Sequence, residues 1–257
     1  MKKTLFAATA LATLLALPFA TAAQQSSAPQ PLMTMSDTER QAFRAEVRAY
    51  LLENPEVLME AIAVLEDRRN CDAAANDQTL LQVNGDEIFR DPNSWQGGNL
   101  DGDITVVEFM DYRCSYCRKA HDEVAELIAS DGNIRFVVKE FPILGPVSDA
   151  ASRFAISVLQ LAGPDAYKSV HDTLMTMRAE PSEPAFRKIA GDLGLDVAAV
   201  LARMETPEVN AVIDANRALA TRLEINGTPT FVIDGTFVRG YVPLDGMRQI
   251  VEGQRKG

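Results

Sequence analysis

The chain has 257 residues, of which 47% are hydrophobic and 24% are charged. This composition predicts a globular protein with one sizeable domain and an appendage. The formal net charge is −11, which makes contact with a polyanion unfavourable. We therefore expect no nucleic-acid partner.

Residues 1–23 are predicted to form a cleaved secretory signal peptide, because two lysines are followed by an apolar run and then by small residues. The alternative is an uncleaved membrane anchor, although the run is short for a membrane span and contains Pro18. Export would place the protein in the periplasm, an oxidising compartment in which paired cysteines can stay oxidised. Residues 24–35 are polar and predict a flexible tether.

Residues 36–78 are predicted to form an N-terminal amphipathic helical arm. Ser36 begins a capping box, apolar residues follow at helical spacing, and Pro55 fits the first position of a second helix. The apolar faces either pack on the chain's own catalytic domain or associate with other copies. We favour self-association, because a detached amphipathic helix pair is costly to leave in water.

Cys71 lies in a polar part of this arm. An odd cysteine in a secreted protein indicates an intermolecular disulfide or a free reactive thiol. Two copies could pair across a dimer, whereas a trimer would leave one Cys71 unpaired. The remaining interpretation is an incidental exposed cysteine.

Residues 79–257 are predicted to form the catalytic domain. Its first half follows a strand, helix, strand pattern, in which the two long strands are parallel. In chain order the expected elements are edge strands at 81–83 and 87–89, a central strand at 104–109, a helix from 114 to about 129 and a parallel strand at 134–139.

Cys114 and Cys117 lie where the buried central strand leads into a helix. The unpaired N–H groups and the dipole of a helix N-terminus favour a thiolate, so Cys114 is the predicted nucleophile. Cys117 lies one turn further on and can resolve a mixed disulfide. A zinc site would have only these cysteines and His121, and a disulfide across three residues stabilises little. We predict a redox pair, with no metal and no cofactor.

Glu108 lies in the central strand among apolar neighbours, so its carboxyl is expected to be buried beneath the cysteine pair. Burial raises the pKa of a carboxyl and allows it to exchange a proton with Cys117. A solvated position at the sheet edge is the alternative. Asp111 and Lys139 are weaker candidates for the same role.

Residues 146–223 show helical periodicity throughout, and Asp234 and Gly235 then predict a hairpin turn. We expect both histidines, His121 and His171, on helix surfaces. The expected helices of this half span 150–161, 166–177, 183–193, 197–204, 207–223 and, after the hairpin, 244–252.

Three features together resemble the DsbA-like thiol-disulfide oxidoreductases of the thioredoxin superfamily, and most of all their Com1/ScsC-type branch. They are Glu108 with the phenylalanine after it, the Cys114 and Cys117 pair, and the Gly-Thr-Pro-Thr segment at 227–230. The resemblance extends with gaps from about residue 43 to the C-terminus. The chain departs from common family patterns at Ser115 and Tyr116, which lie between the cysteines and tune the redox potential.

The resemblance implies an α/β fold, namely a thioredoxin fold with an inserted helical domain at about 146–223, preceded by the helical arm. It implies that Pro229 is cis and packs opposite the nucleophile, whereas an ordinary trans proline is the alternative. The Thr228 backbone would then bind substrate peptides, next to Ser115 and Tyr116. It further implies that Glu108, six residues before the nucleophile, moves protons, and that the arm forms a homo-oligomer, with a trimer favoured.

The expected function is that of a periplasmic thiol-disulfide oxidoreductase acting on unfolded or wrongly disulfide-bonded secreted proteins and reset by a membrane redox partner. We favour an isomerase or reductase, because an oligomer resists re-oxidation and can grip misfolded substrates. The alternatives are a monomeric DsbA-type oxidase, a copper-tolerance protein that holds Cu(I) through both cysteines, and a chaperone that uses only its apolar arm.

Overall fold

A computed structural model describes residues 35–256 of the chain. The predicted signal peptide and residues 24–34 of the predicted tether lie outside the described residues. The chain consists of two compact units, and the boundary between them in the sequence lies between Ile62 and Ala63. Between residues 35 and 256, no helix combines the length and the apolar character needed to cross a membrane.

The described part of the first unit is helical and buries none of its side chains. Helix α1 spans Asp37–Glu53, and helix α2, Glu56–Phe89, begins in this unit and ends in the second. The capping box at Ser36 is present, since the Ser36 and Glu39 side chains each accept a hydrogen bond from the other residue's backbone N–H. The exposed large apolar side chains of residues 35–62 are Met35, Phe43, Val47, Tyr50, Leu52, Leu58, Met59 and Ile62.

The second unit is built around a five-stranded sheet with the order β1-β3-β2-β4-β5. Only β2 and β3 are parallel; the other three neighbouring pairs are antiparallel. The parallel pair is joined by α3, which gives the strand, helix, strand unit predicted from the sequence. The strands are β1 Trp95–Gly98, β2 Ile104–Met110, β3 Ile134–Glu140, β4 Thr230–Ile233 and β5 Thr236–Arg239.

Seven further helices surround this sheet, and five of them form the predicted insertion between β3 and β4. Proline lies in the first turn of α4, α5 and α8, and Gly163 and Leu223 are the C-cap residues of α4 and α8, close to the predicted bounds. The helices are α3 Ser115–Asp131, α4 Pro146–Ala162, α5 Pro164–Thr176, α6 Glu183–Asp192, α7 Val197–Met204, α8 Pro207–Arg222 and α9 Leu244–Lys256.

Two apolar cores cover the two faces of the sheet. Side chains alternate along β2, so Val106 and Met110 face the larger core, whereas Val107 and Phe109 face the smaller one. The larger core includes α3 to α7 and α9, and the smaller one includes the ends of α2 and α8. The predicted thioredoxin fold with a helical insertion is confirmed.

The two predicted edge strands at 81–83 and 87–89 are wrong, because both segments belong to α2. The buried residues of α2 are Leu81, Asn84 and Ile88, which recur at helical rather than strand spacing. The edge strand beside β3 is β1, which was not predicted. It contains two glycines in four residues, so its sequence has no alternating apolar pattern.

Candidate active site

The loop between β2 and α3 is held in place by Asp111. This fully buried carboxylate accepts hydrogen bonds from the backbone N–H groups of Arg113 (2.8 Å), Ile143 (2.8 Å) and Leu144 (3.0 Å). The Asp111 carbonyl accepts from the Cys114 N–H at 3.0 Å. Asp111 therefore positions Cys114, the N-cap residue of α3, and its carboxylate oxygens are occupied by backbone N–H groups.

Cys114 is the N-cap residue of α3 and is 8% exposed. Its Sγ lies 3.1 Å from the Thr228 carbonyl oxygen, to which the protonated thiol can donate a hydrogen bond. A hydrogen bond from the Cys117 thiol, assisted by the Thr228 side chain and by the N–H groups of Cys117 and Tyr116, lowers the pKa of Cys114 to about 5. At neutral pH the Cys114 sulfur is a thiolate, the form that attacks disulfides.

Cys117 has the opposite character, because its side chain is fully buried in the first turn of α3. Burial raises the pKa of the Cys117 thiol far above its usual range, and the negative charges of Cys114 and Glu108 add to this effect. One sulfur of the pair is therefore ionised and reachable, whereas the other is protonated and enclosed. This asymmetry suits an attacking and a resolving thiol.

The Thr228–Pro229 peptide bond is cis, and it lies directly before β4. The Pro229 carbonyl accepts from the Gly240 N–H at 2.9 Å, which fixes the loop to the end of β5. Thr228 is half-buried, and its carbonyl faces Cys114. The two loops, 114 residues apart in sequence, meet at the nucleophilic sulfur.

Glu108 lies in β2 on the face of the larger core and is 2% exposed, so the solvated alternative is excluded. Burial raises the pKa of its carboxyl to about 8, and the charges of Cys114 and Glu140 contribute. Its Oε1 is buried without a hydrogen-bond partner among the described residues. Glu108 is therefore a carboxyl that changes protonation near neutral pH close to the redox pair.

Two family models match the chain. Residues 105–252 match the DSBA-like thioredoxin domain, and residues 39–70 match the copper resistance protein ScsC N-terminal domain. The first match covers more than half of the chain and contains both cysteines and the cis proline. The chain belongs to the DsbA-like thioredoxin domain family.

Solved structures agree with this family. A thioredoxin-like oxidoreductase from Silicibacter pomeroyi DSS-3 is 42% identical, covers 67% of this chain and 98% of its own, and superimposes with a TM-score of 0.63. A Proteus mirabilis ScsC variant with a linker deletion is 25% identical over 87% of this chain and 98% of its own, with a TM-score of 0.64. The thioredoxin domain of this chain is of the thiol-disulfide oxidoreductase type.

Curated relatives include much longer proteins. A Na⁺/H⁺ antiporter NhaA from Herminiimonas arsenicoxydans is 28% identical over 163 residues, which is 62% of this chain but 25% of the relative. The chain spans about a quarter of the length of the antiporters that it matches.

Ser115 and Tyr116 are both exposed in the DsbA-like domain, next to the nucleophile. The Tyr116 ring is 58% exposed and stacks on Tyr241, with ring centroids 6.2 Å apart. Lys119 Nζ lies 4.2 Å from the centre of the Tyr241 ring. Tyr241 thus extends the aromatic surface beside Cys114, and sequence analysis did not identify it because it follows β5, more than a hundred residues away.

Lys139, a predicted candidate for proton transfer, is on the other side of the sheet from Glu108. Its buried ammonium group binds the Asp91 carboxylate at 2.7 Å and the Glu87 carbonyl at 2.7 Å. Burial lowers the pKa of Lys139, and the contact with Asp91 opposes that shift. Lys139 ties the end of α2 to β3 and does not reach the cysteines.

The expectation that both histidines lie on helix surfaces is wrong. His171 is 2% exposed and His121 is half-buried, because α3 and α5 pack their histidine-bearing faces together.

Glu140 was also missed by sequence analysis. It is buried at the end of β3 and accepts hydrogen bonds from Tyr112, Tyr167 and Ser152 at 2.6–2.7 Å, and burial raises the pKa of its carboxyl to about 7.

Proposed function

We propose that the protein exchanges disulfides with secreted proteins through Cys114 and Cys117, and that it works as an isomerase or reductase. The observation that carries this proposal is the difference in pKa and burial between the thiols of Cys114 and Cys117, which lie beside the Thr228 carbonyl. An ionised thiol at the helix N-cap attacks disulfides, and a protonated, enclosed thiol waits until a mixed disulfide has formed.

The reaction begins when the Cys114 thiolate attacks one sulfur of a substrate disulfide. A bond forms between Cys114 and the substrate, and the second substrate sulfur leaves as a thiolate. In the reductase direction, Cys117 loses its proton and attacks Cys114 Sγ, which releases the reduced substrate and leaves a disulfide in the protein. In the isomerase direction, another thiolate of the substrate attacks the substrate sulfur that is bonded to Cys114. A new disulfide forms within the substrate, and Cys114 leaves as a thiolate.

Glu108 supports the proton transfer that the resolving step requires. Its carboxyl lies close enough to raise the pKa of Cys117, and its own pKa of about 8 allows it to accept a proton near neutral pH. Thr228, Pro229, Ser115 and Tyr116 surround the nucleophile. In this proposal the Thr228 backbone binds the substrate chain as an added strand, and the exposed Tyr116 ring packs on its side chains.

The direction of the reaction is tested by the redox state of Cys114 and Cys117 in periplasmic extract. We expect both thiols to be reduced, so that a mass-adding alkylating reagent modifies both after acid trapping. A Cys71→Ser background removes the third cysteine from the readout. A mostly oxidised pair would instead assign the protein to disulfide donation and would reject the isomerase and reductase assignment.

The helical arm is proposed to hold the protein in a homo-oligomer, with a trimer favoured. The exposed apolar side chains of residues 35–62 need a partner surface. Residues 39–70 match the ScsC N-terminal domain, and the resemblance to ScsC-type proteins implies an oligomerising arm.

Polar substitutions in the arm are expected to break this oligomer. Phe43→Gln with Leu58→Gln removes two exposed apolar side chains, and Val83→Gln is the matched control on α2 outside the first unit. Sedimentation equilibrium should give about three times the monomer mass for the wild type and the control, and the monomer mass for the double variant. A monomeric wild type would reject the arm as an oligomerisation element.

The proposed location is the periplasm, and the proposed partners are misfolded secreted proteins and a membrane protein that returns the cysteines to the reduced state.

A copper-tolerance role through the two cysteines is less well supported. A Cu(I) site of this kind needs two thiolates, and burial raises the pKa of Cys117. The match that carries the copper resistance description covers residues 39–70 and does not include the pair.

A further inference from the structure

The two histidines of the chain lie next to each other in the folded protein. His121 is on α3 and His171 is on α5, with ring centroids 5.3 Å apart. One nitrogen of each ring and one carboxylate oxygen of Asp172 lie within 4.8 Å of one another. Within residues 35–256, no other three histidine, cysteine, aspartate or glutamate side chains are grouped in this way. Imidazole nitrogens and carboxylate oxygens are common ligands of zinc.

The contact between His121 and Asp172 has the spacing expected of two ligands of one metal ion. His121 Nε2 lies 3.3 Å from Asp172 Oδ1. Two ligands that are each about 2.0 Å from a tetrahedral Zn²⁺ are about 3.3 Å apart. Despite this proximity, Asp172 Oδ1 is buried without a hydrogen-bond partner in the part of the chain that the structure describes. A buried, unpartnered carboxylate oxygen requires an explanation, and a bound cation supplies one.

Hydrogen bonds behind His171 determine which of its nitrogens is free. The Tyr112 hydroxyl donates to Glu140 Oε1 at 2.7 Å, and the same hydroxyl oxygen is 3.2 Å from His171 Nδ1. Since a phenol has one hydrogen, a Tyr112 hydroxyl that donates to Glu140 accepts from His171 Nδ1–H, and in this tautomer His171 Nε2 keeps its lone pair. Metal-binding histidines typically donate their second N–H to such a chain of polar groups.

We propose that His121, His171 and Asp172 bind Zn²⁺, and that the fourth coordination position faces a cavity of about 200 Å³ between α3, α5 and the sheet. Both histidines line this cavity, and so does Glu108, whose Oε1 is a second buried oxygen without a partner among the described residues. Zinc sites with three protein ligands leave a position of this kind open to water or to another ligand.

Lys168 is the neighbouring positive charge that a cation would meet. Its ammonium group pairs with the other oxygen of Asp172, Oδ2, and its side chain is 44% exposed. The pairing fixes the carboxylate with Oδ1 towards His121, and the exposed ammonium group is screened by water. Asp122, an exposed neighbour of His121, adds a negative charge on the outer side of α3.

The proposed site and the redox pair share no ligand. Cys117 lies one helical turn before His121 on α3, and neither cysteine is part of the group. Zinc binding at the histidines should therefore survive formation of the Cys114–Cys117 disulfide. This separates the inference from adventitious zinc capture by thiolates, which the oxidised protein does not offer.

The test uses the full chain without a histidine tag, with Cys71→Ser, and with the remaining two cysteines oxidised. Titration of Zn²⁺ in competition with a chromophoric chelator should give one equivalent bound. The chain has two imidazole side chains. In a parallel ¹⁵N–¹H spectrum, the ring signals of both should shift with the same stoichiometry.

Variants decide whether the proposed residues are the ligands. Asp172→Asn and His121→Gln should each weaken zinc binding at least about tenfold, whereas Asp122→Asn, which removes the same charge next to His121, should not. Tyr112→Phe should weaken binding by roughly 10- to 100-fold, because it removes the partner that orients His171. Far-UV circular dichroism checks that each variant is folded.

Three results would overturn the proposal. They are an absence of binding by the oxidised protein, zinc binding that leaves both imidazole spectra unchanged, and equal affinity in the Asp172→Asn variant and the wild type. If His121→Gln fails to fold, the imidazole spectra of the wild type and the affinity of Asp172→Asn still decide the question. None of these outcomes depends on disulfide exchange, so this inference and the proposed function can fail separately.

Discussion

The Cys117→Ala variant is expected to remain covalently attached to its substrates. In the proposed mechanism Cys114 provides the attacking thiolate, and without Cys117 the bond between Cys114 and the substrate lacks its resolving thiol and is broken only when another thiol reaches it. Mixed disulfides should therefore accumulate in cells that produce the variant. Non-reducing electrophoresis of extracts, followed by the same separation after reduction, measures these adducts and releases the trapped partners for identification.

Cys114→Ser is the matched control for this trap. A serine hydroxyl is not ionised near neutral pH, so this variant should form no adducts and should lose roughly a thousandfold or more in exchange rate. Cys71→Ser should behave like the wild type, because Cys71 is exposed on α2 and lies outside the redox pair. The assignment of the two roles is wrong if Cys117→Ala forms no adducts and keeps its exchange rate.

The same variant also reports on the cause of the reactivity of Cys114. The hydrogen bond from Cys117 is the largest cause that lowers the pKa of Cys114 to about 5. In Cys117→Ala this pKa should rise, although backbone N–H groups and Thr228 still favour the thiolate. The rate of alkylation of Cys114 as a function of pH measures its pKa with and without Cys117. Both proteins carry Cys71→Ser, and the protein that retains Cys117 is reduced before the measurement.

The second large effect is expected for Glu108→Gln. In the wild type, Glu108 should lower the free energy of unfolding as the pH rises from 5 to 8, and the substitution should abolish this contribution. The pKa of Glu108 is about 8 in the folded protein, because burial disfavours the charged form, compared with 4.5 as its usual value. The folded state therefore binds more protons than the unfolded state between these two values. The stability that this group contributes is complete below pH 4.5 and is lost as the pH rises to about 8.

The size of this effect follows from the shift. Between pH 5 and pH 8 the free energy of unfolding of the wild type should fall relative to Glu108→Gln by on the order of 3 kcal/mol. Urea unfolding of both reduced proteins at the two pH values measures it. Cys114 and Glu140 also have shifted pKa values and are present in both proteins, so the difference between the two proteins reports Glu108 together with its coupling to these two groups.

Glu126→Gln is the control for this comparison, since Glu126 is an exposed glutamate of α3. It should follow the pH dependence of the wild type. If Glu108→Gln does so as well, the carboxyl of Glu108 is already ionised in the folded protein at pH 5, and its role as a proton carrier near neutral pH is rejected.

Most helices and the central strands could be predicted from the sequence because their patterns are local. The capping box at Ser36, the prolines that begin α4, α5 and α8, and the left-handed Gly132 after α3 all act within a few residues. The redox pair is equally local, because two cysteines in the first turn of a helix lie in the field of that helix wherever it packs.

Elements that depend on distant partners were missed or misassigned. The end of α2 contains Asn84 and Gly85, which have low helix propensity, and its packing on α8 and the sheet makes it a helix with one buried face. Strand β1 forms because β3 offers an unpaired edge, not because its own four residues favour an extended chain. Burial of His171 and Glu140 likewise depends on the packing of α5 and α4 against β3.

The sequence by itself predicted Cys114 as the nucleophile, Cys117 as the resolving cysteine and Glu108 as a candidate proton carrier, since residue type and spacing along one strand and one helix are enough for these predictions. Only the tertiary structure decided how their pKa values separate, because the Thr228 loop approaches Cys114 from another part of the chain and burial is a property of the whole domain. It also decided that both histidines meet Asp172, since helix packing, not sequence spacing, brings α3 and α5 together.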